Sequence, residues 1–125
     1  IGQKAGIEAL TGDQSCVEEM KAAFRERRDF IIKLMNDLPG VTCAVPGGAF
    51  YVFPDFSSYL GKVANGQKLK DTFDISEYIL GCASVVTVPG DGFGAPGHIR
   101  FSYATSTDII EKGIERVRSV LEKIA

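Results

Sequence analysis

The stretch that decides the fold covers residues 88–106 and has the sequence VPGDGFGAPGHIRFSYATS. Its first half is rich in glycine and indicates a loop, whereas residues 98–103 predict a β-strand. Side chains alternate along a strand, so two faces are expected: Ile99, Phe101 and Tyr103 on one, His98, Arg100 and Ser102 on the other. A guanidinium in this setting forms either a structural ion pair or a bidentate contact with a carboxylate ligand, and the spacing alone leaves both open.

The glycine-rich loop formally matches a dinucleotide-binding fingerprint, Gly92-x-Gly94-x-x-Gly97. That fingerprint needs a helix N-terminus directly after it, where the backbone N–H groups bind the pyrophosphate. Here Pro96 and the predicted strand follow instead, which argues against nucleotide binding. The glycines are better explained as residues that let the backbone turn tightly and approach a ligand or another domain closely.

The N-terminal part of the chain predicts two helices. Residues 1–10 form a helical pattern with no capping residue before it and with Gly12 as its stop, which suggests a chain boundary inside a helix. Ser15 and Glu18 fit a capping box that begins a second helix. That helix ends at 39–40, a Pro-Gly pair, and its apolar side chains recur every three or four residues: Val17, Met20, Phe24, Ile31, Met35 and Leu38.

The remaining pattern alternates strands and helices. Residues 41–45 and 49–53 predict short strands around a turn at 46–48, and 54–73 predict mostly loop. Asp74 with Glu77 marks a helix start near 74–81, and 84–88 predict a strand. Thr105 or Ser106 caps a last helix with an apolar stripe: Ile110, Ile114, Val117, Leu121 and Ile124. The order predicts an α/β fold of the α+β sandwich type, in which helices cover one face of a small antiparallel or mixed sheet.

Composition excludes several classes of protein. The chain has 125 residues, 45% of them apolar and 24% charged, with a net charge of −2, so nothing favours nucleic acid or an anionic membrane as a partner. No apolar run approaches the roughly 18 residues of a membrane span. Cys16, Cys43 and Cys82 are an odd number without a C-x-x-C pair, which predicts buried free thiols in a reducing compartment and neither a disulfide framework nor a metal site.

Several motifs, in one order, resemble a known family. Residues 89–106 read P-G-x-x-F-G-x-x-G-H-I-R-F-S-Y-A-T-S and resemble the C-terminal strand of prokaryotic aspartate aminotransferases, a branch of the class I (fold-type I) aminotransferases that depend on pyridoxal 5'-phosphate. Residues 46–51, PGGAFY, resemble that family's P-x-G-A-F-Y strand start. ALTG at 9–12, EEM at 18–20 and LPGV at 38–41 are similar to the family in the same register. The resemblance covers essentially the whole chain but only the last third of a typical full-length enzyme.

The resemblance implies roles for individual residues. Arg100 corresponds to the arginine that binds the substrate α-carboxylate, and Phe50 to an aromatic residue that closes over the substrate as the small domain moves. His98 stands at a variable family position, where a catalytic role is not expected because the family's proton carrier is a lysine. Tyr51 and Tyr103 are expected in the core or supporting the site. None of the eight lysines has the family's S-x-x-K context.

The same resemblance implies what the chain lacks. Residues 1–12 are expected to be the end of a helix from a missing large domain, and 13–125 the C-terminal small domain. The Schiff-base lysine and the groups that bind the cofactor belong to that missing domain, so the chain alone is expected to be inert. The full-length enzyme would be a cytoplasmic homodimer that converts L-aspartate and 2-oxoglutarate to oxaloacetate and L-glutamate. Two alternatives remain: an aminotransferase of aromatic, alanine or prephenate specificity, and a stand-alone carboxylate-binding α/β module.

Overall fold

A computed structural model describes residues 1–124 of the chain. Four helices and five short strands make up its regular structure: α1 (Gly2–Thr11), α2 (Ser15–Asn36), β1 (Tyr51–Val52), β2 (Val63–Ala64), β3 (Gln67–Lys68), α3 (Thr72–Ala83), β4 (Val88–Pro89), β5 (Ile99–Ser102) and α4 (Thr107–Leu121). Among these residues, no helix combines the length and the apolar character that a membrane crossing requires.

The predicted strand at 98–103 is the centre of the main sheet. β5 pairs antiparallel with β1 on one side and with β4 on the other, in the order β1-β5-β4. The other predicted strands are shorter than expected. Of 41–45 only Thr42 makes a bridge, to Asp55, and β1 begins only at Tyr51 because Ala49 has a left-handed backbone with φ 67°. The predicted strand at 84–88 reaches the sheet only at its last residue.

The helices cover one face of this sheet, as predicted. On β5, Ile99, Phe101 and the following Tyr103 are buried, whereas Arg100 is half-buried and Ser102 exposed on the other face. The predicted stripe of α4 is confirmed, since all five of its apolar residues are buried, with Ile124 just beyond the helix. α2 contributes Ile31 and Met35, and α3 contributes Ile75 and Ile79, so three helices and one sheet face share a single core.

The start of α2 differs from the prediction. Ser15 is the first helical residue and does not cap the helix. Instead the Asp13 carboxylate accepts a hydrogen bond from the Ser15 N–H at 3.0 Å, and Glu18 pairs with Lys21 at 3.2 Å. A carboxylate accepts the free N–H groups of a helix start better than a hydroxyl does, because its charge also interacts with the helix dipole. The capping box is therefore wrong, although the helix boundary is nearly right.

The predicted apolar stripe of α2 is buried only in its second half. Val17 and Met20 are about half exposed, Phe24 is partly buried, and burial becomes complete only from Ile31 onward. α1 has no buried residue. The prediction of buried thiols is right for Cys43 and wrong for two others, because Cys16 and Cys82 are exposed; all three are free.

The segment predicted as loop, 54–73, contains regular structure. A 3₁₀ turn covers Ser57–Tyr59, and β2 and β3 form a hairpin around Asn65 and Gly66, whose φ angles are 49° and 79°. Two central residues with positive φ define a type I′ turn, for which Asn-Gly is the preferred pair. The Asn-Gly pair could therefore have predicted this hairpin, which the prediction of a loop over 54–73 did not include.

Helix α3 begins two residues before the predicted start. Asp71 is its cap and accepts a hydrogen bond from the Asp74 N–H at 3.0 Å. Asp91, from the glycine-rich loop, accepts a second one from the Thr72 N–H at 2.9 Å. Two carboxylates therefore satisfy N–H groups that a helix start leaves free. The second of them ties the glycine-rich loop to α3.

Candidate functional site

Arg100 lies on β5, on the sheet face that the helices leave uncovered. Its guanidinium carbon lies 5.0 Å from the ring centre of Tyr51 and 5.2 Å from that of Phe93. These distances are within the range of cation–π attraction, in which the negative face of an aromatic ring stabilises the cation. Tyr51 comes from the neighbouring strand β1, and Phe93 comes from the 3₁₀ turn Gly90–Phe93.

The guanidinium of Arg100 has no carboxylate partner in the described part of the chain. The two ion pairs found within residues 1–124 join Lys21 to Glu18 and Arg28 to Asp29. Arg118, in contrast to Arg100, has a structural partner in this chain: its Nη1 donates a hydrogen bond to the Asp37 carbonyl, at the end of α2, at 2.8 Å. Of the two roles that spacing left open, a structural ion pair of Arg100 is therefore not present among residues 1–124.

A cavity of about 270 Å³ opens beside Arg100. Its walls are Tyr51, Phe53, Phe93 and Arg100, that is, three aromatic rings and one cation. Such a cavity suits a small anion, because the rings stabilise the cation while the N–H groups of the guanidinium can donate hydrogen bonds in its plane. A carboxylate matches this geometry with two parallel hydrogen bonds.

Phe50 lies next to the cavity but does not line it. Its side chain is about half exposed, and its ring meets that of Tyr51 edge-on at 5.5 Å. The backbone around it is firmly attached to the end of β5. The Tyr103 N–H donates to the Phe50 carbonyl and the Tyr103 hydroxyl to the Ala49 carbonyl, both at 2.9 Å. An anchored backbone with a free ring is compatible with the role that the resemblance implies for Phe50, which stays a prediction.

The glycine-rich loop places Phe93 through close backbone contacts. Gly90 donates its N–H to the His98 carbonyl at 2.8 Å and accepts from the Ala95 N–H at 3.0 Å. A Cβ atom on Gly90 would lie 2.3 Å from the His98 oxygen, so any other residue there would require the backbone to move. The Thr72 hydrogen bonds to Asp91 fix the loop to α3 and hold the pKa of the Asp91 carboxyl below its ordinary value.

The strand after the loop supports the rejection of a dinucleotide site. Gly97 is followed by β5, with no helix N-terminus where a pyrophosphate would bind. His98 does not line the cavity either. Its ring packs 5.3 Å from that of Phe53, and Nδ1 lies 3.2 Å from the Pro96 carbonyl oxygen. These contacts give it a packing role.

Sequence reasoning did not name Tyr51, Phe53 or Phe93 as residues that line the cavity. Tyr51 was expected in the core or as a residue that supports the site; it is not in the core, and it both contacts Arg100 and lines the cavity. Tyr103 is in the core as expected. The signal for Tyr51 is the strand register. Tyr51 pairs with Ser102 across β1 and β5, so it shares a sheet face with Ser102 and with Arg100 two residues earlier. For Phe93 there was no comparable signal, because its position depends on the fold of the glycine-rich loop.

The described residues do not form a site for pyridoxal phosphate. All eight lysines are exposed, and none lines the cavity beside Arg100. A Schiff-base lysine needs a position sheltered from water, and every lysine of this chain is exposed. Within residues 1–124 there is also no cluster of three or more His, Cys, Asp or Glu side chains that could bind a metal ion. Residues 1–124 therefore provide neither a sheltered lysine nor a cluster of metal-binding side chains.

The sequence model of the family described as "aminotransferase class I and II" matches residues 1–117. This match covers nearly the whole chain, and the chain belongs to that family. The resemblance inferred from the motifs is thereby confirmed. The predicted fold class is confirmed by the superposition on a solved aminotransferase.

Individual relatives show which members of the family the chain is similar to. The chain is 38% identical over 117 residues to the aspartate aminotransferase of Streptomyces avermitilis, with 94% of this chain and 29% of the relative covered. It is 43% identical over 126 residues to a probable aspartate/prephenate aminotransferase of Aquifex aeolicus, covering 99% and 30%. The crystal structure of the aspartate aminotransferase from Rhizobium meliloti superposes with a TM-score of 0.94 at 36% identity, covering 98% and 31%. The chain therefore spans about 30% of the length of the relatives it matches.

Proposed function

We propose that the whole protein is a pyridoxal-phosphate-dependent aspartate aminotransferase, in which Arg100 binds the substrate α-carboxylate. The observation that carries the proposal is the guanidinium without an ion-pair partner, at the wall of an aromatic cavity, in a member of the aminotransferase family. The named relatives support the aspartate specificity, since two of the three are aspartate aminotransferases and the third is described as acting on aspartate and prephenate.

Arg100 orients the substrate by its α-carboxylate. Two parallel hydrogen bonds fix both the position and the plane of that group, which removes rotational freedom before the reaction. Closure of the cleft over the substrate would remove water from this partly exposed cavity, and the attraction between guanidinium and carboxylate would then be stronger than in solution. Phe50, half exposed beside Tyr51, is placed to fold over the bound substrate when the domain closes.

The rest of the catalytic machinery lies outside this chain in the proposal. Residues 1–12 connect to a large domain, which binds pyridoxal phosphate and supplies the catalytic lysine, and residues 13–125 are the small domain. When bound, the cofactor supplies the electron sink for amino-group transfer. The chain alone is inert, and the whole protein is a homodimer in the cytoplasm that takes amino acids and 2-oxo acids as substrates.

A second candidate is an aminotransferase of another specificity. Three aromatic walls around Arg100 would suit a cyclic or aromatic substrate as well as a small one, and the Aquifex aeolicus relative is described as aspartate/prephenate aminotransferase. The third alternative is a stand-alone module that binds a small carboxylate through Arg100. The coding sequence upstream of Ile1 separates it from the enzymes: some 270 residues with an S-x-x-K lysine support the enzyme.

The test uses the full-length protein purified with pyridoxal phosphate. L-Aspartate should change the visible absorbance of the bound cofactor, and 2-oxoglutarate should restore it. Alanine, phenylalanine and prephenate serve as competing amino donors and acceptor. If the cofactor absorbance does not change with aspartate but changes with alanine or phenylalanine, the aspartate specificity is wrong and the class of enzyme stands. A full-length protein that binds no cofactor would overturn the enzyme proposal.

A further inference from the structure

We infer that Tyr51 and Phe93 are positioning residues, whose rings hold the guanidinium of Arg100 in place for a carboxylate and thereby set the affinity of the site. The inference rests on the proposed function, because it concerns the same arginine. The geometry behind it is the pair of cation–π contacts, at 5.0 Å to the ring centre of Tyr51 and 5.2 Å to that of Phe93.

An arginine side chain on a sheet face needs something to restrict its rotation. The usual means is a neighbouring carboxylate, but such a partner would occupy the N–H groups and compete with the ligand. Aromatic rings attract the cation without accepting its in-plane hydrogen bonds. Within residues 1–124, Arg100 forms none of the ion pairs, and the contacts with the two rings restrain its guanidinium while leaving its in-plane donors available to a ligand.

Each of the two rings is itself fixed by the fold. Tyr51 is held by the pairing of β1 with β5, opposite Ser102, and its ring packs edge-on against that of Phe50. Phe93 ends the 3₁₀ turn that begins at the tightly packed Gly90. One ring from a strand and one from a loop therefore contact the same guanidinium. Because these contacts already restrict the arginine side chain, it loses less conformational entropy when it binds a ligand.

The experiment measures succinate, an unreactive dicarboxylate, as a competitive inhibitor of the full-length enzyme, together with kcat and KM for L-aspartate. Tyr51→Leu and Phe93→Leu each remove one ring, and Tyr51→Phe and Phe93→Tyr keep it. The matched control is Phe73→Leu, which removes a phenylalanine of similar exposure, 53% against 59% for Phe93, that does not line the cavity.

Each leucine variant is expected to raise the succinate inhibition constant and the aspartate KM by about twofold to fivefold, as one cation–π contact at a partly exposed site would. The value of kcat should change less than KM, since the guanidinium binds the carboxylate in the ground state as well. Tyr51→Phe and Phe93→Tyr, which keep the ring, should retain the wild-type succinate inhibition constant and aspartate KM. A merely structural role would not produce this rescue together with the KM effect.

Arg100→Gln separates the two proposals. If it weakens succinate binding while both leucine variants behave like Phe73→Leu, the positioning role is wrong and the carboxylate site stands. If Arg100→Gln leaves succinate binding unchanged, the proposed function of Arg100 fails, and the positioning role fails with it. Each ring is removed separately, so a variant that does not fold leaves the other one to decide. The Tyr51→Phe and Phe93→Tyr variants, which preserve ring volume, provide a further check.

Discussion

Replacing Gly90 with alanine would force a methyl group into space that two backbone carbonyls already occupy. A Cβ atom on Gly90 would lie 2.3 Å from the His98 oxygen and 2.4 Å from the Ala95 oxygen. Neither oxygen belongs to a flexible side chain, so the backbone itself must move. The carbonyl of His98 also accepts the Gly90 N–H at 2.8 Å, and this bond would be strained by the same movement.

The cost can be estimated from three contributions. Overpacking of this kind costs about 1–3 kcal/mol, and weakening one hydrogen bond costs up to about 1 kcal/mol. Alanine lowers the entropy of the unfolded chain, which offsets about 0.4–1 kcal/mol. The free energy of unfolding should therefore fall by about 1–3 kcal/mol, and the urea midpoint should fall by about 1 M for a chain of this size.

Urea unfolding followed by circular dichroism at 222 nm measures this change. Gly92→Ala is the matched control in the same turn, because its Cβ would meet nothing closer than a ring carbon of Phe73 at 3.9 Å. The control should unfold at the wild-type urea concentration or slightly above it. If Gly90→Ala were as stable as Gly92→Ala, the close packing of the loop against the start of β5 would be refuted.

Two further predictions concern thiols and pH. Burial raises the pKa of Cys43 to about 11, and the side chain is only 8% exposed, whereas Cys16 and Cys82 are exposed. A thiol reagent at pH 8 should therefore modify two cysteines rapidly and the third only after unfolding; three equally fast thiols would contradict this. The Thr72 hydrogen bonds lower the pKa of Asp91 in the folded state, so its stabilising effect is present above the ordinary value of 3.8 and is lost as pH falls below it. The difference in unfolding free energy between the wild type and Asp91→Asn should shrink between pH 5 and 3, and a constant difference would show that the carboxylate charge plays no part.

The parts of the fold that sequence predicted well are those with a strong local pattern. α4 has a helical apolar stripe flanked by charged residues, and β5 alternates between two faces, so hydrophobic burial decides both elements. Other features depend on competition between similar groups. At the start of α2, the Asp13 carboxylate accepts the free N–H group, and the Ser15 hydroxyl does not. Sequence spacing cannot decide which of two neighbouring polar side chains accepts such a hydrogen bond.

Of the four residues that line the cavity, the sequence predicted only Arg100 as a binding residue. Arg100 was recognisable as the one charged residue of β5, but its role at a carboxylate was implied by the family motif around it and not by the spacing. Its aromatic neighbours Tyr51 and Phe93 are 49 and 7 residues away along the chain, and both contacts arise from tertiary structure. The register of β1 against β5 would have placed Tyr51, whereas the position of Phe93 requires the conformation of a loop that begins at a glycine with no room for a side chain.

Arg100 is the residue on which the proposed function depends, and its replacement in the full-length protein is the most direct test. The measurement is kcat/KM for L-aspartate in Arg100→Ala, with Arg25→Ala as the control for losing an exposed arginine. Removing one partner of a sheltered ion pair costs about 2–5 kcal/mol, so kcat/KM should fall by roughly 30- to 5,000-fold. An unchanged kcat/KM in Arg100→Ala would contradict the assignment of the carboxylate site.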